Sequence, residues 1–233
     1  MSISVCVLID GFNLNFKSTL LHLVGFHNGL YNSNIVLTHE HADAVLGLDD
    51  IRVVQPHSPT NDIDPTVIYL TQYAMDSRLY KIEGYFPSKL SIAKRICSGF
   101  MMSIAMLDDV YFKLREGQEV RQVAQLDWRI IEDDYDKPFV ASGLKFVPLP
   151  VMHGEDYICL GFLFGEKSKV AYISDVPRFP SNTEYVISKS GSGQLDLLIM
   201  DCLYKKGSHN VHLCLPQVCS KFFQKLGCPE KKT

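Results

Sequence analysis

Short apolar runs separated by polar turns define the predicted elements of the first half of the chain. Residues 1–10 alternate with the two-residue period of a strand, and residues 14–24 carry leucines at roughly helical spacing. Residues 35–37 form a second strand-like run, and a helical pattern covers residues 44–51. This order of strand, helix, strand, turn and helix predicts an α/β protein.

The second half of the chain has strand-like runs that end in residues able to bind metals. Residues 146–152 form an apolar run interrupted by two prolines, residues 157–164 and 169–175 predict a hairpin, and residues 195–200 form a further strand. Three of these runs end in a histidine or an aspartate: His153, Asp175 and Asp201. Such repetition is expected of a sheet whose site lies along one rim.

The most informative stretch is the His-x-His-x-Asp motif that follows residues 35–37. His39 and His41 are two residues apart at the end of a strand, so they point to the same side. Asp43 falls where the pattern becomes helical, and a helix N-terminus stabilises a carboxylate. Nitrogen and oxygen donors that converge in this way suit a divalent metal, and only about 0.02 such motifs are expected by chance. The alternative is a pair of surface histidines near an acid.

Composition limits the classes of function. The chain has 233 residues, of which 46% are hydrophobic and 21% charged, as in a soluble globular domain. A formal charge of −3 gives no footprint for nucleic acid or an anionic membrane. Seven cysteines without a C-x-x-C pair indicate reduced thiols, and residues 1–10 lack the features of a signal peptide. We therefore expect a cytoplasmic protein without a membrane partner.

The motifs together resemble those of a known family. Thr38–Asp43, Leu149–Gly154 and Tyr172–Asp175 are similar to the metal-binding motifs of the metallo-β-lactamase superfamily, and most closely to its PhnP-like branch of cyclic-phosphate phosphodiesterases. The resemblance implies an α/β fold, an αβ/βα sandwich of two mixed sheets, with metals at one edge. It also implies a hydrolase domain over residues 1–217 and an atypical tail over residues 218–233.

The resemblance implies the role of each candidate ligand. His39, His41 and His153 would hold a first metal, Asp175 would bridge two metals, and Asp43 would belong to the second. The expected cofactor is Zn²⁺ or Mn²⁺.

The chain also departs from the family pattern. Ala44 stands where the superfamily commonly has a histidine, no histidine follows His212, and an earlier glycine-rich hairpin is missing. We therefore expect the fold to lack some N- and C-terminal elements. One metal site should be firm and the second weak, because two carboxylates and water hold Mg²⁺ or Mn²⁺ only loosely.

These residues predict metal-assisted hydrolysis, and the resemblance implies a small (cyclic) phosphodiester as the substrate. A divalent cation lowers the pKa of bound water towards ~7 and so provides a hydroxide. Asp43 would orient that hydroxide or accept its proton, and His212 would stabilise the departing oxygen. His209 is the weaker candidate for this second role, because it falls in a sequence with turn composition.

Two other functions stay open. One is a thioester or lactone hydrolase on the same scaffold, and the other is a non-catalytic, metal-binding relative.

Two apolar segments have no place in the predicted metal site. The run over residues 96–107 predicts a buried helix, a partner surface or a poorly integrated insertion, and Leu197–Ile199 predict an exposed apolar patch that favours a homo-oligomer.

The motif makes a direct prediction about metal retention. His41→Ala should abolish it, because the first metal would lose one of its three histidine nitrogens. Asp43→Asn should spare that metal but remove most of the turnover, and the low phosphodiesterase activity should rise when Mn²⁺ is added. Metal analysis after dialysis and a phosphodiesterase assay check both variants. Two zinc ions retained by the unmodified protein through extensive dialysis would contradict the predicted weak second site.

Overall fold

The computed structural model describes residues 7–9, 34–45, 48, 51, 55–56, 63–77, 125–188 and 195–220. The chain divides into two compact units, residues 1–131 and 132–233, and each is described by itself. The predicted hydrolase domain over residues 1–217 therefore stays a prediction. The helix predicted over residues 14–24 and the apolar run over residues 96–107 lie outside the described residues.

The first unit contains a four-stranded parallel sheet. Its strands lie in the order β1-β2-β3-β4, and they are β1 (Val7–Ile9), β2 (Asn34–Val36), β3 (Thr66–Thr71) and β4 (Leu126–Ile131). A parallel sheet is normally covered on both faces, which fits the apolar runs of β2 and β3, whereas β4, at the edge of the sheet as described, carries the charged residues Asp127 and Arg129. The helix Ala42–Val45 follows β2 directly, as the sequence pattern predicts.

The core of this unit contains two residues of the segment predicted as a helix. The side chains of Leu48 and Ile51 are fully buried and pack with Ile35, Ile68 and other apolar residues of the sheet. These two residues lie within the segment predicted as a helix over residues 44–51, of whose described residues Ala44 and Val45 belong to an α-helix. The burial of Leu48 and Ile51 is what an amphipathic helix there would require.

The second unit contains a five-stranded mixed sheet. Neighbouring strands from β5 to β8 are antiparallel, whereas β8 and β9 are parallel. The strands lie in sequence order, and they are β5 (Phe139–Ala141), β6 (Leu144–Met152), β7 (Ile158–Phe164), β8 (Val170–Ile173) and β9 (Leu197–Met200). The helix Ser181–Ile187 lies between β8 and β9 in the chain.

The prolines of β6 do not interrupt its pairing with β7. Pro148 and Pro150 are paired with Phe162 and Leu160, and the strand runs unbroken for nine residues. The pairing of β5 with β6 ends at Phe146, so β6 has only one neighbouring strand among the described residues where its prolines lie. Strands tolerate proline at such edge positions, because the missing N–H is not needed there.

The pairing of β8 with β9 determines where the candidate ligands lie. Ile173 and Met200 are register partners at the carboxyl ends of the two strands. Because parallel strands end at the same edge of a sheet, the residues that follow them, Asp175 and Asp201, emerge at one edge.

The apolar exposure predicted for β9 is confirmed at two of its positions. Leu197 is 51% exposed and Ile199 is 43% exposed, and β9 is the edge strand of the sheet as described. The self-association that this exposure favours stays a prediction. Among the described residues, no helix is long and apolar enough to cross a membrane.

An aromatic cluster makes β6 a sensitive test of the second unit's stability. Phe146 is 1% exposed, and its ring stacks on Phe139 with 5.5 Å between centroids. Phe146→Ala should lower the free energy of unfolding by about 3–5 kcal/mol, because it removes a buried ring and leaves a cavity.

Urea denaturation followed by circular dichroism measures this loss. Val140→Ala is the matched control, since Val140 is 61% exposed on the neighbouring strand and should change the stability by less than about 0.5 kcal/mol. Equal losses in the two variants would show that burial of Phe146 does not stabilise the sheet.

Candidate metal centre

His153 is held at the end of β6 by two hydrogen bonds. Its backbone N–H donates to the carbonyl of Tyr157 at 2.7 Å, and its Nδ1 lies 3.1 Å from the carbonyl oxygen of Val211. Since a carbonyl only accepts, Nδ1 carries the proton and Nε2 is the nitrogen suited to a metal. Gly154 follows with φ +103°, a backbone conformation that side chains rarely adopt, so glycine allows the turn.

Arg178 joins this turn to the segment after β8. Its Nη2 donates to the carbonyl of Gly154 at 3.1 Å and to that of Glu155 at 2.9 Å. The backbone N–H of Met152 donates in turn to the carbonyl of Arg178 at 3.2 Å. These bonds fix the loop that carries His153 to the loop that carries Asp175.

Asp175 follows β8 in a left-handed backbone conformation. Its φ is +48°, which is uncommon for a residue other than glycine and is tolerated most readily by aspartate and asparagine. Its side chain is only 14% exposed, and Oδ1 lies 3.2 Å from Nδ1 of His212. Strained backbone of this kind concentrates at functional sites, where it directs a side chain.

His212 comes to the same edge from the loop that follows β9. Its Nδ1 lies 2.7 Å from Oδ2 of Asp201, closer than it lies to Asp175. Its ring centroid is 5.3 Å from that of His153. The loop thus returns a histidine to the strand ends, close to both carboxylates.

His153, Asp175 and His212 form a possible metal site within the second unit. Each offers one donor atom, and the three atoms lie within 4.8 Å of one another. Two imidazole nitrogens and one carboxylate oxygen match the donors that zinc, manganese and similar divalent cations take in proteins. The residues present therefore fit a divalent metal.

The motif of the first unit is also locally ordered. The rings of His39 and His41 lie 4.6 Å apart, as expected for side chains on the same side of the chain. His39 is 3% exposed, and its Nδ1 lies 2.8 Å from the hydroxyl oxygen of Thr38. Nε2 of His39 is therefore the nitrogen that would face a metal.

The structure describes the two other residues of this stretch, Asp43 and Ala44, to different extents. Asp43 lies in the helix Ala42–Val45, and its side chain is outside what the structure describes. Ala44 is buried, so the methyl group that stands in place of the family's histidine belongs to the core. The sharing of one ion by His39, His41 and His153 stays a prediction, as does the bridging role of Asp175.

The loop after β9 contains contacts that the sequence analysis did not assign. The sequence marks Asp201 only as a residue that ends a strand, and it predicts that His212 faces the substrate. The structure brings the two together and also places His212 among possible metal donors. The ring centroid of His209 lies 5.3 Å from that of His212, and Nδ1 of His209 accepts the N–H of Val211 at 3.3 Å.

Cys202 adjoins this cluster but is not suited to be a nucleophile. Desolvation and then the Asp201 carboxylate raise the pKa of the Cys202 thiol. The thiol therefore stays protonated at neutral pH, whereas nucleophilic or metal-binding cysteines act as thiolates.

Comparison with known proteins assigns the fold. No protein-family profile matches the chain, and no curated protein matches it. Among solved structures, the metallo-beta-lactamase fold protein YhfI from Bacillus subtilis is 13% identical with a TM-score of 0.54. That alignment covers 91% of this chain and 66% of YhfI, so this chain spans slightly less than two thirds of that protein.

Two further structures are more distant. Unliganded yeast PDE1 is 11% identical with a TM-score of 0.47, and the alignment covers 80% of this chain and 50% of that protein. Isothiocyanate hydrolase from Delia radicum gut bacteria is 11% identical with a TM-score of 0.44, with 83% and 58% covered. Both scores are too low to establish a shared fold, so the assignment rests on YhfI.

This chain has the metallo-β-lactamase fold, which confirms the predicted fold class. An identity this low establishes the architecture alone, and the PhnP-like branch stays a prediction.

The site predicts how single substitutions change metal binding. His153→Ala should weaken binding of a divalent cation by more than about 100-fold. Losing a residue that only supports a ligand typically lowers metal affinity by about 10–100-fold, and losing the ligand itself should lower it further. Titration calorimetry with Zn²⁺ measures the change. His209→Ala is the matched control, because His209 lies in the same part of the second unit but outside the group of donors, and it should bind the metal as the unmodified protein does. Equal affinities for all three proteins would exclude His153 as a ligand.

Proposed function

We propose that the protein is a metal-dependent hydrolase that acts on a small phosphodiester. The observation that carries the proposal is the grouping of His153, Asp175 and His212 donors within 4.8 Å of one another. The metallo-β-lactamase fold supports it, and the names of two solved structures, yeast PDE1 and an isothiocyanate hydrolase, indicate only how varied such chemistry can be.

The proposed ligand set follows the prediction made from the sequence motifs. His39, His41 and His153 would hold a first ion, Asp43 would hold a second, and Asp175 would contribute to both. His212 is a candidate for a further ligand of the second ion, because its Nδ1 already faces a carboxylate and Nε2 is left to face a metal. Zinc and manganese are the proposed metals, since both accept mixed nitrogen and oxygen donors.

A bound divalent cation would supply an activated water and withdraw charge from the phosphoryl oxygen. The residues of the chain would do the rest. Asp43 orients the attacking water and accepts its proton. The turn held by Arg178 keeps His153 in place, and the left-handed backbone of Asp175 directs its carboxylate towards His212.

The departing oxygen needs a hydrogen-bond donor on the side away from the attack. His212 is proposed for this contact in its doubly protonated form, because its Nδ1 faces Asp201 and only Nε2 is left to donate, and His209 is the alternative. Because Nδ1 of His209 accepts the N–H of Val211, the proton of a neutral His209 lies on Nε2, from which it can be donated. The small phosphodiester, the cytoplasmic location and the lack of nucleic-acid or membrane partners remain part of this proposal.

Two assays separate the proposed reaction from its alternatives. With added Mn²⁺, bis-p-nitrophenyl phosphate should release nitrophenolate, and an S-acyl glutathione should stay intact. His153→Ala should reduce the phosphodiesterase rate by at least about 100-fold. Hydrolysis of the thioester instead would identify a carbonyl hydrolase, and metal binding without either reaction would identify a non-catalytic relative.

Metal content distinguishes the two roles of His212. If His212 binds the second ion, the unmodified protein retains two ions and His212→Ala retains one. If His212 contacts only the departing oxygen, the two proteins retain the same number of ions, and His212→Ala lowers kcat with little change in KM. Atomic absorption after dialysis, read beside the kinetic constants, decides between them.

A further inference from the structure

We infer that Asp201 is a positioning residue that fixes the orientation and the tautomer of His212. The role of His212 in catalysis rests on the proposed function, whereas the contact between Asp201 and His212 is observed in the structure. The carboxylate of Asp201 approaches Nδ1 of His212 to 2.7 Å, the length of a charge-assisted hydrogen bond.

Asp201 is well placed to hold another residue. It directly follows β9, and its backbone N–H donates to the carbonyl of Ile173 at 3.0 Å. Its side chain is 25% exposed and that of His212 is 20% exposed, so both are largely shielded from water. A hydrogen bond that is partly withdrawn from solvent holds its geometry better than an exposed one.

The loop that leads from β9 to His212 is exposed over most of its length, so little packing guides the ring before the chain returns to the sheet at the buried Leu213. Residues 202–208 are all exposed, and the backbone of the loop is closed by the bonds from Leu203 N–H to Leu213 and from Leu215 N–H to Tyr204. These backbone bonds bring residue 212 back to the strand ends, but they do not orient its ring. The ring is oriented by the two carboxylates that lie close to Nδ1 of His212, and the carboxylate of Asp201 is the closer of the two.

The two neighbouring carboxylates have different tasks. Asp175 belongs to the group of possible metal donors, whereas Asp201 does not belong to either group found among the described residues. Asp201 is thus available to accept the proton of Nδ1 while Asp175 faces a metal. An imidazole held in this way presents Nε2, and loss of such a supporting carboxylate typically costs 10–100-fold in metal affinity or activity.

The chain offers a matched control at the opposite end of the same strand. Asp196 precedes β9, as Asp201 follows it, and its Oδ2 accepts the backbone N–H of Lys169 at 2.8 Å. Asp196→Ala therefore removes a carboxylate that supports the strand without contacting His212. Asp201→Asn adds a conservative variant, because an amide oxygen still accepts a hydrogen bond but carries no charge.

The first measurement is nitrogen NMR of histidine-labelled protein, loaded with zinc. In the unmodified protein, Nδ1 of His212 should carry a slowly exchanging proton. Asp196→Ala should keep this signal, and Asp201→Ala should lose it. An unprotonated Nδ1 in the unmodified protein would overturn the inference. The unmodified protein alone therefore tests the inference, even if a variant fails to fold.

The second measurement compares Mn²⁺ affinity and kcat/KM across the three variants. We expect a 10–100-fold loss in at least one of these quantities for Asp201→Ala, a smaller loss for Asp201→Asn, and less than a 2-fold change for Asp196→Ala. Equal losses in Asp201→Ala and Asp196→Ala would overturn the positioning role. If the unmodified protein neither binds metal nor hydrolyses the diester, the proposed function fails, while the NMR signal, read without zinc, still tests the contact.

Discussion

The parallel pairing of β8 with β9 is the constraint on which the candidate metal centre depends. The other neighbouring strands of this sheet are antiparallel, so their carboxyl ends point in opposite directions, whereas β8 and β9 end together at Ile173 and Met200. Asp175 and Asp201 follow these ends within two residues. Without this one parallel pair, the two carboxylates would not both lie beside His212.

This arrangement concentrates negative charge around one imidazole nitrogen. The two carboxylates lie 2.7 and 3.2 Å from Nδ1 of His212, and Asp175 is held there by a left-handed backbone. Gathering acids in this way is unfavourable unless a cation or a proton compensates, and a bound divalent ion is the largest such charge in a protein site. The His153 ring lies 5.3 Å from that of His212 and is held there by Val211 and by the turn that Arg178 binds.

Local patterns carried most of what the sequence could predict. The His-x-His spacing predicts that the side chains of His39 and His41 lie on the same side of the chain, and their rings are close together. His153 and Asp175 could be recognised because each follows a predicted strand. The contact of Asp201 with His212 could not be read in this way, because it depends on how an exposed, aperiodic loop returns to the sheet. The bond between His153 and Val211 spans 58 residues and likewise requires the tertiary structure. One feature of the sequence did point to Asp201: it follows an apolar strand, as Asp175 follows the preceding one.

The most direct test of the central claim is the anomalous scattering of a zinc-loaded crystal. A zinc peak is expected about 2.0–2.2 Å from a nitrogen of His153 and from a carboxylate oxygen of Asp175. Asp201 should lie outside the coordination sphere, with its carboxylate still on Nδ1 of His212. A crystal that contains zinc only at cysteines or at surface residues, with His153 and Asp175 free of metal, would contradict the account.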